Sequence, residues 1–129
     1  MLKNFLVWIG VKEKIHDKSE GPLYFNETEI WWCAIGENVG IEINGKGDMF
    51  SRPVFIYKKL SKDGFLGVPL STQEKNGSWY VSVSFKEEMI FANLAQIRVL
   101  SSSRLYEKMG ALDDSDVEKI KTAFSRLYL

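Results

Sequence analysis

Several things that would define a function are scarce in this 129-residue chain. A single cysteine, Cys33, can form neither an internal disulfide nor a cysteine-based zinc cluster, and a single histidine, His16, further argues against a structural zinc site. Charge is balanced, with 17 Lys and Arg against 17 Asp and Glu, which excludes a strongly basic nucleic-acid coat but leaves local patches open. No apolar run approaches the ~20 residues of a transmembrane helix, and the first residues form no signal-peptide core. We therefore expect a cytoplasmic protein without a membrane partner.

What is present indicates one globular domain with an extension at its start. The apolar share of 45% and the charged share of 26% exclude a disordered chain, a collagen and a coiled-coil rod. Residues 2–16 place Phe5, Trp8, Ile9 and Ile15 near helical spacing, which predicts a short amphipathic helix before a break at residues 19–22. We therefore assign residues 1–26 to an N-terminal extension and residues 27–129 to the main domain.

Alternation of period two begins at residue 28 and predicts strands. Both faces of Thr28–Ile35 are apolar, so each needs cover, from the N-terminal helix or from a second subunit. The pair Asn76-Gly77 is a hairpin signal, and the glycine-rich stretch after residue 43 predicts a mobile loop. Further strands are predicted at Val39–Ile43, Pro53–Leu60, Phe65–Ser71, Trp79–Phe85, Met89–Ala92 and Ala95–Leu100, the last two separated by a helical turn.

A final helix follows, capped by Asp113 or Ser115 and buried along Val117, Ile120, Phe124 and Leu127. Short strands at close spacing with one terminal helix favour a mainly β fold with α-helices, a small curled antiparallel sheet or barrel.

An ordered set of short strings carries a resemblance to a known family. The strings are Gly40-Ile41-Glu42, Arg52-Pro53-Val54, Val68-Pro69-Leu70-Ser71-Thr72, Gln96-Ile97-Arg98, Arg104-Leu105 and Lys108-Met109-Gly110-Ala111-Leu112. Over about residues 27–128 the chain resembles the MazF/PemK endoribonuclease toxins of bacterial toxin–antitoxin modules. The resemblance implies an SH3-like barrel, a homodimer, and cleavage of single-stranded RNA without metal or other cofactor. The implied reaction is attack by the ribose 2′-hydroxyl, leaving a 2′,3′-cyclic phosphate and a 5′-hydroxyl, and the implied partner is an antitoxin protein that covers the RNA groove.

The resemblance implies catalytic roles for three side chains. Arg52 matches the family's catalytic arginine, and a guanidinium can hold phosphate oxygens bidentately and stabilise their charge. Ser71 falls where many members carry a catalytic threonine, and Thr72 would serve instead if Ser71 faced the interior. The plainer interpretation is a surface arginine at the start of a strand and two hydroxyls in a turn.

Further positions matched by the resemblance have two interpretations each. Glu42 is a candidate base, or a structural carboxylate that pairs with Arg52 or with backbone amides. The longer segment that follows is a substrate-gating loop or a flexible linker, and Gln96 contacts a base edge or, as we favour, supports the barrel. The candidate substrate-binding residues are Gly45, Lys46, Gly47, Gln73 and Gln96.

One departure from the family weakens the catalytic hypothesis. Several members carry Asp or Glu immediately before the glutamine matched by Gln96, where this chain has Ala95. Another group then activates the 2′-hydroxyl, or activity is weak, or the chain is a non-catalytic module that binds RNA or a protein. A gyrase-poisoning toxin on a related fold is a third hypothesis, by fold analogy only.

Overall fold

The computed structural model describes residues 3–18, 21–22 and 24–129. Two helices flank seven strands, and short 3₁₀ turns at Leu94–Gln96 and Ser102–Arg104 precede the last two strands. None of the helices in the described residues combines the length and apolar character needed to cross a membrane. The elements are α1 (Phe5–Lys18), β1 (Glu29–Ala34), β2 (Ser51–Ser61), β3 (Gly64–Ser71), β4 (Tyr80–Phe85), β5 (Glu88–Asn93), β6 (Arg98–Ser101), β7 (Leu105–Ala111) and α2 (Asp114–Tyr128).

All strand pairs are antiparallel and form one sheet in the order β4-β5-β3-β2-β1-β7, with β6 also paired to β3. The predicted class, mainly β with a helix at each end, is confirmed. Within the described residues no hydrogen-bonded pairing joins β4 to β7, so the sheet is open in its pairing. Closure into an SH3-like barrel stays a prediction.

The two faces of the sheet are buried in separate cores, which explains why β1 is apolar on both sides. Ile30 belongs to the core beneath α2, where Val117 and Ile120 are fully packed. Trp31 and Cys33 point into a second core, which also contains residues of β2, β3, β6 and β7. The cover for that second face therefore comes mainly from the curl of the chain's own sheet, which sequence spacing does not reveal.

Two local expectations were wrong. Val39–Ile43 forms no strand: it is a turn in which the Glu42 N–H donates to the Val39 carbonyl at 3.0 Å. Asn76-Gly77 does not join paired strands, because β5 lies between β3 and β4. The tight hairpin links β4 to β5 instead, through Lys86 and Glu87 with φ of +50° and +66°.

The predicted N-terminal helix is present as α1, but its predicted apolar stripe is mostly exposed. Only Trp8 is buried, with its indole 5.5 Å from the Phe50 ring and directly over Gly36. At the helix start, the Asn4 N–H donates to the Glu37 carboxylate at 3.0 Å. The helix is thus fastened to the loop between β1 and β2, hereafter the β1–β2 loop (residues 35–50).

Candidate active site

An open cleft of about 570 Å³ lies where β1, β2, β3 and β7 meet the β1–β2 loop. A smaller depression of about 210 Å³ adjoins it on the side of β4 and β5. Three side chains line both: Lys46, Arg52 and Ser71. The main cleft is also lined by Trp32, Gly47, Ser51, Pro53, Thr72, Tyr106 and Glu107.

Arg52 stands near the start of β2, half-buried between the two cavities. Its Nε donates to the Asn44 carbonyl at 3.0 Å, and its Nη1 donates to the Leu70 carbonyl at 3.4 Å. A guanidinium has five N–H donors, so three are left for a ligand. No carboxylate of the described residues lies within ion-pair distance. Burial lowers the pKa of Arg52, yet an arginine stays protonated at neutral pH, so the cleft holds an anchored and uncompensated cation.

Both candidate hydroxyls reach the main cleft. Ser71 ends β3, and its Oγ accepts a hydrogen bond from the Gln73 N–H at 3.2 Å. That turn fixes the hydroxyl oxygen while its proton is free to be donated to a ligand. Thr72 follows in the bend, exposed on the wall of the same cleft.

The glycine-rich segment is a fastened turn rather than a loose linker. Lys46 and Ser51 exchange two backbone hydrogen bonds, at 2.8 and 3.0 Å. Gly45 is buried, and a Cβ there would fall 1.8 Å from the Phe50 carbonyl oxygen. Gly45 lines neither cavity and packs against the Phe50 backbone, and its part in substrate binding stays a prediction. Lys46 and Gly47 line the main cleft, and their role in substrate binding stays a prediction.

Glu42 and Gln96 are occupied with the loop instead of the cleft. The Glu42 carboxylate accepts the Val39 N–H at 3.0 Å and lines neither cavity, which matches the interpretation as a carboxylate for backbone amides. Gln96 borders the smaller depression, but its amide accepts the Ile43 N–H and donates to the Ile41 carbonyl, both at 3.1 Å. The favoured supporting role of Gln96 fits this geometry.

The remaining candidate residues either line the smaller depression or lie outside both cavities. Gln73 lines that depression together with Lys75, while the exposed Ala95 lines neither cavity. Burial raises the pKa of the Cys33 thiol to about 12, so this cysteine is an inert core residue, as its strand pattern suggests. His16 is exposed near the end of α1.

Sequence reasoning missed four cleft residues: Trp32, Ser51, Tyr106 and Glu107. Trp32 of β1 pairs with Pro53 of β2 on one side and with Glu107 of β7 on the other. The Tyr106 hydroxyl is 2.7 Å from Ser51 Oγ. Glu107 supplies the one carboxylate among the described residues that line the two cavities. The string Arg104-Leu105 marks the start of β7, but nothing local reveals that this strand returns beside β1.

Solved structures of other proteins share this fold. The crystal structure of MazF (Form-I) from Deinococcus radiodurans superposes with a TM-score of 0.64, at 16% identity over 81% of this chain and 97% of that chain. An endoribonuclease in complex with its cognate antitoxin, from a mycobacterial species, gives a TM-score of 0.60 at 16% identity, covering 80% and 93%. At these identities the likeness shows the fold alone.

Sequence comparison gives a narrower classification of the chain than the fold does. Comparison with curated protein sequences finds no match. The profile of the family described as PemK-like, MazF-like toxin of type II toxin–antitoxin systems matches residues 26–128. The protein therefore belongs to the PemK/MazF toxin family, which confirms the resemblance drawn from the short strings. Helix α1 lies outside the matched residues.

Proposed function

We propose that this protein is a toxin-type endoribonuclease that cleaves single-stranded RNA, including mRNA, without a metal ion. The observation that carries the proposal is the position of Arg52 at the junction of the two cavities. Its half-buried guanidinium is held by two backbone carbonyls and has further N–H donors available for a ligand. Lys46 adds a second positive charge, and Ser71 adds a positioned hydroxyl. Such a group suits a phosphodiester whose phosphoryl oxygens gain charge in the transition state.

In the proposed reaction the ribose 2′-oxygen attacks the adjacent phosphorus as it loses its proton. The bond from phosphorus to the 5′-oxygen breaks, and that oxygen takes up a proton. The products are a 2′,3′-cyclic phosphate and a 5′-hydroxyl. Arg52 stabilises the charge on the phosphoryl oxygens, and Ser71, with Thr72 on the wall beside it, orients the phosphate for in-line attack.

We assign the proton acceptor for the 2′-hydroxyl to Glu107. Ala95 removes the carboxylate that several relatives carry next to the matched glutamine, and Glu42 is engaged by a backbone amide outside the cleft. Glu107 lines the main cleft together with Arg52 and Ser71. A carboxylate side chain that reaches the substrate is a suitable general base for a hydroxyl proton.

The experiment is incubation of purified protein with a long single-stranded RNA in EDTA, followed by mass spectrometry of the fragment ends. We expect discrete fragments with cyclic phosphate and 5′-hydroxyl ends. Arg52→Ala should lower the cleavage rate by about 10²–10³, the usual cost of removing one charge-stabilising donor. The matched control is Arg126→Ala, an exposed arginine on α2 remote from the cleft. Cleavage that survives Arg52→Ala contradicts the proposal.

Glu107→Gln tests the proton acceptor separately. We expect cleavage to fall by about 10²-fold or more while RNA binding is retained, since general-base assistance contributes at least that much. Glu118→Gln, an exposed glutamate on α2, is the control. Full activity of Glu107→Gln would remove Glu107 from the mechanism and leave the assignment of Arg52 intact.

A non-catalytic module that binds RNA or a protein is the second candidate, and Ala95 is the observation that favours it. Intact RNA with retained, Arg52-dependent binding would select it, and inhibition of gyrase without RNA cleavage would select the gyrase-poisoning alternative.

Whether the protein is an enzyme or a binding module, we propose that it forms a homodimer and that an antitoxin protein covers the cleft. The mycobacterial endoribonuclease solved with its cognate antitoxin supports that partner.

A further inference from the structure

A third cavity, of about 360 Å³, lies between α1 and the body of the protein. Lys14, Ile15 and Lys18 line it from the helix. Met49, Arg104 and Tyr106 line it from the body. We call it the α1 pocket. Since α1 is outside the residues matched by the family profile, this pocket is an addition to the shared fold.

The α1 pocket adjoins the main cleft. Tyr106 lines both, and its exposed ring is held in place by the hydrogen bond between its hydroxyl and Ser51. On the loop side, Lys46 and Gly47 line the cleft, and Met49, two residues further on, lines the α1 pocket. A flexible polymer seated in the cleft can therefore continue past Tyr106 without leaving the surface.

The charge of the α1 pocket suits a polyanion. Three cations line it against one carboxylate, Asp48. Arg104 is fixed, because its Nη1 donates to the Ala34 carbonyl at 3.0 Å and to the Ile35 carbonyl at 3.4 Å. Lys14 is exposed and forms no ion pair with any residue in the described part of the chain. Phosphates of a strand that leaves the cleft would meet this positive edge.

The remaining walls are apolar and suit bases. The Tyr106 ring provides a face on which an unpaired base can stack, an interaction that tolerates any base, and Ile15 and Met49 add apolar surface beside it. Taken with the charge and the continuity, we infer that the α1 pocket is an extended subsite for the nucleotides of single-stranded RNA that flank the cleavage point. This inference rests on the proposed RNA substrate.

The test compares long and short RNA substrates with the Lys14→Ala/Lys18→Ala protein. On long RNA we expect kcat/KM to fall about 3- to 10-fold, a loss that fits two solvent-exposed charge contacts. The slope of log affinity against log salt should shrink by about 0.7 per lost phosphate contact. On the shortest RNA that is still cleaved, the variant should match the unaltered protein. Lys12→Ala, on the same helix but outside the pocket, is the control.

The outcomes separate this inference from the proposed function. Equal losses on long and short RNA, an equal loss for Lys12→Ala, or no loss at all would overturn the α1 subsite while the enzyme assignment stands. Unchanged RNA cleavage together with lost antitoxin binding would overturn it in favour of a protein partner. If the unaltered protein binds long RNA but does not cleave it, the enzyme proposal fails. Weaker binding by the double variant would then still support the subsite.

Discussion

Replacing Trp8 by alanine should release α1 from the body of the protein without unfolding the sheet. Trp8 is 5% exposed, and its indole packs on Phe50, over Gly36 and near the Arg104 guanidinium at 5.9 Å. Burying about 200 Å² of tryptophan surface at about 25 cal/mol per Å² stabilises docking by at most about 5 kcal/mol. No other side chain of the helix is comparably buried.

The rest of α1 contributes little to docking. Leu6 is 86% exposed, Ile9 57% and Phe5 44%. Among the described residues, polar contacts between helix and body occur at the start of the helix, where Lys3 donates to the Asn38 and Gly40 carbonyls. A 14-residue helix is marginally stable on its own in water, so without its anchor it should unfold locally.

Hydrogen exchange followed by mass spectrometry is the assay. In Trp8→Ala we expect amides of residues 5–18 to lose nearly all protection, while amides of β2 and β3 keep theirs. Leu6→Ala, on the same helix at an exposed position, should behave as the unaltered protein. Wild-type protection of α1 in Trp8→Ala would refute the single-anchor account. Parallel loss of protection in the sheet would show instead that α1 belongs to the main core.

Two further substitutions test packing and charge. Gly45→Ala places a methyl group against the Phe50 carbonyl and should cost about 1–3 kcal/mol of unfolding free energy in urea, whereas Gly10→Ala has open space around it and should be neutral or stabilising. Burial alone would raise the pKa of Glu29, but hydrogen bonds from Lys108, an indole and a backbone amide outweigh burial and lower it. Glu29→Gln should therefore cost about 1–2 kcal/mol at pH 7, and the difference should vanish as the pH falls through the lowered pKa, where the carboxylate of the folded protein is protonated. A pH-independent difference would contradict this assignment.

The fold was predictable where burial imposes a local period. Alternation predicted β2, β3 and β4, and the helical stripe of Val117 and Ile120 predicted α2. Prediction failed where pairing with a strand that is distant in the sequence determines the secondary structure. β7 lacks a clear alternation, since only its first residue is buried, and it is a strand because it pairs with β1 about 75 residues away. The β4–β5 turn uses Lys86 and Glu87 in left-handed conformations that usually favour Asn and Gly, so it carries no sequence signal.

Part of the candidate site was also predictable from the sequence. The family strings singled out Arg52 and Ser71, and the glycine-rich segment between two strings singled out Lys46; the structure places all three at one junction. Glu42 matches a motif equally well, yet the turn it occupies directs its carboxylate to a backbone amide. Glu107 has no motif, and only the pairing of β7 with β1 brings it to the cleft.

Attack by the ribose 2′-hydroxyl is tested most directly with an RNA in which one sugar is altered. Once the cleavage point on a natural RNA is mapped, the same RNA is made with a single 2′-deoxyribose on the 5′ side of the scissile phosphate. We expect this RNA to bind normally but not to be cut at that position in EDTA, because the attacking oxygen is missing. Cleavage at the deoxy position would contradict 2′-hydroxyl attack and with it the roles assigned to Arg52 and Glu107.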